Sequence, residues 1–127
     1  MKIIHLRALR GPNLWGRHTA IEATISCPQN EHTLADFPDI AARVQTRFPA
    51  IGALQAAHNV AAIPLPELIA IAVLSLQNSA GCPVTFYRCA ATVEKGVYQV
   101  VVEYSEEAVG RLAFDLAMTL YQAARDD

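Results

Sequence analysis

The alternation of apolar and polar residues predicts four β-strands. The first is a short apolar run that stops at the breaker Gly11-Pro12-Asn13. The second alternates strictly, which is the period of a half-buried strand. The last two are rich in β-branched and aromatic residues, with a turn at Glu94-Lys95-Gly96 between them. The four predicted strands are Lys2–Leu9, Ala20–Ser26, Pro83–Ala90 and Val97–Tyr104.

Three other segments carry the apolar spacing of helices. Pro38–Phe48 has apolar residues four positions apart and is followed by Pro49, which cannot continue a helix. Pro66–Ser79 is apolar on nearly every side, so we expect it to be a central buried helix. A third helix should follow Ser105, a good capping residue. The order ββααββα predicts one domain over residues 1–127, an α+β two-layer sandwich with an antiparallel sheet.

Composition narrows the class of protein. The chain has 127 residues, of which 53% are apolar, and a net charge of −2. This charge gives no basic footprint for nucleic acid or for an anionic membrane, and no apolar run approaches the length of a membrane span. The apolar excess suggests a shared surface and therefore a possible homo-oligomer. The three cysteines form no Cys-x-x-Cys pair, so we expect neither a zinc ribbon nor a thioredoxin-type site. Their odd count, with no signal peptide, predicts reduced thiols and a cytoplasmic location. We expect no cofactor.

Short phrases spread along the chain recur, in this order, in one known family. They are Arg7–Asn13 with Trp15; Pro38 with Ile40, Arg43, Phe48 and Pro49; Leu76-Gln77 with Ala80-Gly81, Phe86 and Arg88; and Gly96–Tyr98 with Val100-Val101, Glu103-Tyr104 and Val109–Arg111. In order and spacing these phrases resemble the N-terminal domain of cyanophycin synthetases. The resemblance covers nearly the whole chain, with a gap between Pro49 and Glu67.

The resemblance implies a role in handling a peptide polymer. Cyanophycin synthetases join aspartate and arginine, using an ATP-grasp domain and a Mur-ligase-like domain that follow the N-terminal one, and neither pattern occurs in this sequence. The N-terminal domain is implied to hold the growing polymer. In some members it also cleaves the polymer through a His-x-x-Glu-His metal motif. The matching positions here are Glu67, Ala70 and Ile71, so we expect no catalytic residue and no metal site in this chain.

The polymer that the resemblance implies suggests which residues would bind it. Cyanophycin has free carboxylates, which suit arginine forks, and guanidinium groups, which stack on indole rings. The candidate binding residues are Arg7, Arg10, Asn13, Trp15, Arg17 and Arg88, with Glu103, Glu106 or Glu107 as acidic partners for the arginines of the polymer. Alternatively, Asn13 and Trp15 only shape the hairpin, the arginines are ordinary solvated charges, and Arg88 pairs with Glu103 across the sheet.

Two other functions stay open at this point. One is a small metallohydrolase with a relocated site, although the four histidines, His5, His18, His32 and His58, show no ligand spacing. A nucleophilic pair of Cys82 or Cys89 with a distant histidine is a separate enzymatic alternative, although we expect buried reduced thiols at both positions. The other is a structural or oligomerisation partner of the catalytic domains of a synthetase. Of the three functions we rank polymer binding first, with cyanophycin or a related peptide polymer as the ligand.

Overall fold

An antiparallel sheet of four strands forms one layer of the protein, and two helices form the other. The computed structural model describes residues 1–13, 18–27 and 64–126. Within these residues the elements follow one another in the order ββαββα. They are β1 Lys2–Leu9, β2 Ala20–Ser26, α1 Leu65–Ser79, β3 Tyr87–Ala91, β4 Val97–Glu103 and α2 Glu107–Asp126. The α+β class is confirmed, whereas the helix predicted over Pro38–Phe48 lies outside the described residues.

The sheet has the strand order β1-β2-β4-β3, so β2 and β4 are central. Both hairpins that the sequence predicts are present, β1 with β2 and β3 with β4. The centre of the sheet joins β2 to β4, with Ala20 opposite Glu103 and Ser26 opposite Val97. This pairing brings together segments far apart in sequence, and it places the two ends of β2 beside residues near α2 and near the β3–β4 turn.

The third strand begins at Tyr87, not at Pro83 as the sequence suggested. Proline has no N–H to donate to a ladder. The next two N–H groups bond to side chains instead: Val84 donates to Asn78 Oδ1 at 2.8 Å and Thr85 to Glu103 Oε1 at 3.0 Å. Residues 82–86 therefore form an ordered connection rather than a strand, because side chains satisfy backbone donors that a neighbouring strand would otherwise receive.

Helix α1 is the buried helix that the sequence predicts. Ten of its 15 residues are buried, including Leu68, Ile69 and Val73. It packs against β3 and β4 of the sheet and against α2, so both the sheet and the other helix cover it. The inner face of the sheet completes the core with Ile21, Ala23, Ile25, Tyr98, Val100 and Val102. The alternating residues of β2 and β4 consequently face away from the helices.

Helix α2 approaches the sheet closely through Gly110. A Cβ atom at this position would lie 2.7 Å from Ile21 Cδ1 and 3.0 Å from Tyr104 Cβ, closer than carbon atoms pack. Glycine therefore fixes how near the first turns of α2 come to β2. This proximity places Glu107, in the first turn, within reach of residues that follow β1. No helix among the described residues has the length and apolar character needed to cross a membrane.

Candidate functional site

A row of four opposite residues, three of them charged, crosses the sheet on the face away from the helices. Strand register places Arg7 opposite Glu22, Glu22 opposite Val101, and Val101 opposite Arg88. Val101, at the centre of the row, is completely buried, whereas Arg7 and Arg88 on the two outer strands are exposed. Two of the arginines expected to bind a polymer thus lie at opposite ends of one row.

Arg7 is held by the carboxylate of Glu22. Its Nε donates to Oε1 at 2.9 Å, and the arginine side chain is 65% exposed while that of Glu22 is only 11% exposed. Glu22 is not among the residues predicted from the sequence, although it occupies a polar position of the alternating second strand. The register of the β1–β2 hairpin would have revealed the pair, because directly opposite residues of opposite charge attract across antiparallel strands.

A second cluster joins the end of β1 to the start of α2. Arg10 donates from Nε to Glu107 Oε1 at 2.7 Å and from Nη2 to Oε2 at 3.1 Å, which is the bidentate geometry of an arginine–carboxylate pair. Arg111, one helical turn later, donates from Nε to the same Oε2 at 3.0 Å. Two guanidinium groups therefore converge on one carboxylate. The cluster keeps a net positive charge, and the Arg10 side chain is 73% exposed.

These contacts shift the ionisation of the cluster strongly. The hydrogen bonds from Arg10 and then from Arg111 lower the pKa of Glu107 from 4.5 to about 2. The hydrogen bond and the charge of Glu107 in turn raise the pKa of Arg10. All three side chains are ionised at neutral pH, so the cluster meets any approaching ligand as two cations and one anion.

Asn13 shapes the loop between β1 and β2. Its Nδ2 donates to the carbonyl oxygens of Gly11 at 2.9 Å and of His18 at 3.0 Å, thereby holding both ends of the turn. His18 Nδ1 lies 2.9 Å from Glu103 Oε2. The described contacts of Asn13 agree with a loop-forming role, which the sequence left as its alternative. Trp15 and Arg17, the two other candidates in this loop, lie outside the described residues.

Glu103 connects this loop to the third strand. One carboxylate oxygen faces His18, and the other accepts the N–H of Thr85. Its backbone N–H donates to Phe86 and its backbone carbonyl accepts the Nε2 of the buried Gln77 at 2.9 Å. Glu103 follows Val101 by two residues on β4, and Val101 is opposite Arg88. The side chains of Glu103 and Arg88 therefore lie on the same face of the sheet. Toward this end of the sheet Arg10 pairs with Glu107, Arg7 with Glu22 and Glu103 with His18.

Two of the three positions that match the family metal motif are buried in the core. Ala70 and Ile71 are buried in the core, with exposed fractions of 0% and 2%. Glu67 lies near Tyr87 and Cys89, where its negative charge contributes to raising their pKa values. Within residues 1–13, 18–27 and 64–126, no three histidine, cysteine or acidic side chains are grouped as metal ligands.

Cys89 is poorly suited to act as a nucleophile. Burial of the thiol, with the negative charge of Glu67 as a second cause, raises its pKa to about 12. The thiolate is the reactive form of cysteine, and at neutral pH this thiol is protonated. The sequence could not show this, because it depends on α1 packing beside β3 and bringing Glu67 close. The nucleophilic role considered for Cys89 is therefore not favoured at neutral pH.

Comparison with known proteins identifies the family. The family model for the cyanophycin synthase-like N-terminal domain matches residues 30–125. The chain belongs to this family. It is 31% identical to the cyanophycin synthetases of Trichormus variabilis and of a Nostoc species over 99% of its length, and 30% identical to that of Geminocystis herdmanii over 94%. The chain spans about 15% of the length of each of these relatives. The family resemblance inferred from the sequence phrases is confirmed.

Proposed function

We propose that this domain binds an arginine–aspartate peptide polymer and holds it for a synthetase, without cleaving or ligating it. The relatives are cyanophycin synthetases, and the family model that matches the chain is that of the cyanophycin synthase-like N-terminal domain. The observation that carries the proposal is the set of exposed arginines, each paired with a carboxylate, at one end of the sheet. Such a surface presents both charges that a polymer of arginine and aspartate requires.

The arginine–carboxylate pairs can exchange their partners with those of the polymer. Exposed ion pairs contribute little net stability, because water solvates each charge almost as well as the partner does. Arg10 can therefore turn toward a polymer carboxylate while Glu107 receives a polymer guanidinium group. The terminal amino groups of Arg7 can reach another carboxylate while its Nε stays bonded to the nearly buried Glu22. At Arg10 the exchange keeps the number of ion pairs constant, and the bidentate fork can form again on the polymer carboxylate.

A repeating ligand strengthens these weak contacts. Each repeat unit of the polymer offers the same carboxylate and guanidinium, so binding at one pair holds the next unit near another pair. We assign Arg7, Arg10 and Arg88 to polymer carboxylates, and Glu103 and Glu107 to polymer guanidinium groups. Asn13 supports the loop, and Trp15 and Arg17 remain binding candidates on it. We expect long polymer to bind far more tightly than the isolated dipeptide unit.

Co-sedimentation with insoluble cyanophycin tests the proposal. The wild-type domain should be retained, whereas the double variant Arg7→Ala, Arg10→Ala should appear mainly in the supernatant. The matched control is Lys2→Ala with Lys95→Ala, which removes two positive charges from exposed positions elsewhere. Equal retention of the arginine variant and the control would contradict the proposed site. If the wild-type domain also stays in the supernatant, the proposal of polymer binding is contradicted altogether.

The same tubes test the alternative of a metallohydrolase. Soluble polymer is incubated with the domain with and without zinc, and chain length is followed by gel electrophoresis. We expect no shortening in either condition. Zinc-dependent shortening would contradict the non-catalytic role and would direct attention to ligands beyond the described residues.

A further inference from the structure

Helix α2 exposes apolar side chains on the side away from the core. Leu112 is 66% exposed and Leu116 is 43% exposed, and the two lie one helical turn apart. They belong to a stripe whose members are alternately three and four positions apart, the spacing of a helix that packs along another helix. The stripe consists of Val109, Leu112, Leu116, Thr119 and Ala123.

The exposed leucines border an apolar groove between the two helices. Leu76 and Ala80 of α1 form its other wall, together with Ala113 at its floor, and the groove has a volume of about 100 Å³. This is room for an aliphatic side chain. The surface therefore carries both projecting leucines and a depression beside them, which is the complementarity that a self-associating face requires.

We propose that this face of α2 binds the same face of a second copy of the chain. The two α2 helices run antiparallel about a two-fold axis, with Leu112 of one copy against Leu116 of the other. Each leucine then covers the groove of the opposite copy. The pairing satisfies the rule that a two-fold interface is formed by identical patches, and it removes from water apolar surface whose burial favours association.

Charge on one flank of the stripe selects the antiparallel arrangement. Arg111 and Asp115 are one turn apart on the same side of α2, and both are accessible to solvent. An antiparallel two-fold pair brings Arg111 of each copy beside Asp115 of the other. In a parallel pair this flank of the two copies would lie on opposite sides of the interface, so Arg111 and Asp115 would not meet. Nε of Arg111 is hydrogen-bonded to Glu107, and the terminal amino groups of Arg111 can reach across the interface.

Sedimentation velocity over a range of protein concentrations tests this interface. We expect the mass of the wild type to rise from monomer to dimer with concentration. Leu112→Asp and Leu116→Asp should each stay monomeric, with circular dichroism and melting temperature confirming that they fold. The matched control is Val93→Asp, because Val93 is an exposed apolar residue on the β3–β4 turn, and this variant should dimerise like the wild type. A wild type that stays monomeric throughout, or leucine variants that still dimerise, would overturn the proposal.

A charge exchange tests the direction of the helices. Asp115→Arg places two arginines on each side of the two-fold axis and should raise the dissociation constant at least tenfold. Adding Arg111→Asp restores opposite charges across the interface, so the double variant should recover most of the wild-type affinity. Failure of the double variant to recover would overturn the antiparallel arrangement. These measurements need no polymer, so they are independent of the proposed binding function.

Discussion

The guanidinium of Arg10 donates two hydrogen bonds to the carboxylate of Glu107, although 97 residues separate them in the sequence. The contact links the segment after β1 to the first turn of α2, and Arg111 adds a third hydrogen bond from within the helix. The negative charge of Glu107 also lies where a helix dipole favours it. One carboxylate thus connects the sheet layer, the helix layer and the proposed binding surface.

Replacing Glu107 should change stability in a manner that depends on pH. The two arginines lower the pKa of Glu107 from 4.5 to about 2. Because the folded protein holds the carboxylate ionised more firmly than the unfolded chain does, the contribution is complete above about pH 4.5 and is lost as pH falls toward 2. We expect Glu107→Gln to lower the melting temperature at pH 7, with the difference from wild type shrinking between pH 5 and pH 2.

Thermal unfolding followed by circular dichroism at several pH values measures this effect. Solvent screening will keep the difference small, and added salt should reduce it further. Glu106→Gln is the control, since Glu106 is an exposed neighbour that precedes the helix. A melting difference for Glu107→Gln that stays constant from pH 7 to pH 2 would show that the ion pairs do not stabilise the fold.

Local pairing is the part of the fold that the sequence predicts well. Alternating residues and short turns predict both hairpins, and an all-apolar segment predicts the buried helix. Arg7 and Glu22 are likewise predictable once the first hairpin is drawn, because they are opposite one another. The central pairing of β2 with β4 has no such signal. It depends on which strands the helices bring together, a consequence of packing across the whole chain.

The binding candidates divide in the same way. Basic residues near the Gly-Pro turn are visible in the sequence as charges, but their carboxylate partners are not. Arg10 meets Glu107 only because Gly110 lets α2 approach the sheet. The start of β3 was misplaced for a similar reason, since a side chain from β4 satisfies the N–H of Thr85. Long-range side-chain contacts decided each of these points.

Gly110→Ala should destabilise the protein in spite of better helix propensity. Alanine gains about 1 kcal/mol over glycine in a helix. The new Cβ, however, would lie 2.7 Å from Ile21 Cδ1 in the fully buried core, and overpacking typically costs ~1–3 kcal/mol. We expect a net loss of about 1 kcal/mol in the free energy of unfolding, measured by urea titration.

A second substitution separates the clash from other effects of Gly110→Ala. Ile21→Val removes the Cδ1 atom that the new methyl group would meet, at a cost of about 1 kcal/mol by itself. In the double variant the two losses should not add, because the valine makes room for the alanine. Strictly additive losses would mean that the close approach of α2 to Ile21 does not limit this position.

Cys89 should react slowly with alkylating reagents. Burial and the charge of Glu67 raise its pKa to about 12, so at pH 7.5 its thiolate fraction is roughly a thousandfold below that of an ordinary cysteine. Labelling by iodoacetamide, followed by peptide mass spectrometry, should modify Cys89 only after long exposure. Glu67→Gln removes the second cause and should speed the labelling. Rapid modification of Cys89 in the wild type would contradict the buried, protonated thiol.

Neutralising the acidic partners should redirect the proposed binding surface toward anions. In the double variant Glu22→Gln, Glu107→Gln, Arg7 on β1 and Arg10 directly after β1 lose the carboxylates that hold them. We expect tighter binding to polyaspartate, which carries only carboxylates, and weaker binding to cyanophycin, whose guanidinium groups lose Glu107 as an acceptor. Calorimetric titration at two salt concentrations measures both affinities. The control is Glu94→Gln with Asp127→Asn, two acidic residues outside the candidate binding set, which changes net charge equally. If this control strengthens polyaspartate binding as much, net charge rather than the arginine–glutamate pairs governs binding. A greater gain in the Glu22, Glu107 variant, accompanied by loss of cyanophycin, would support the exchange of ion pairs proposed for the polymer.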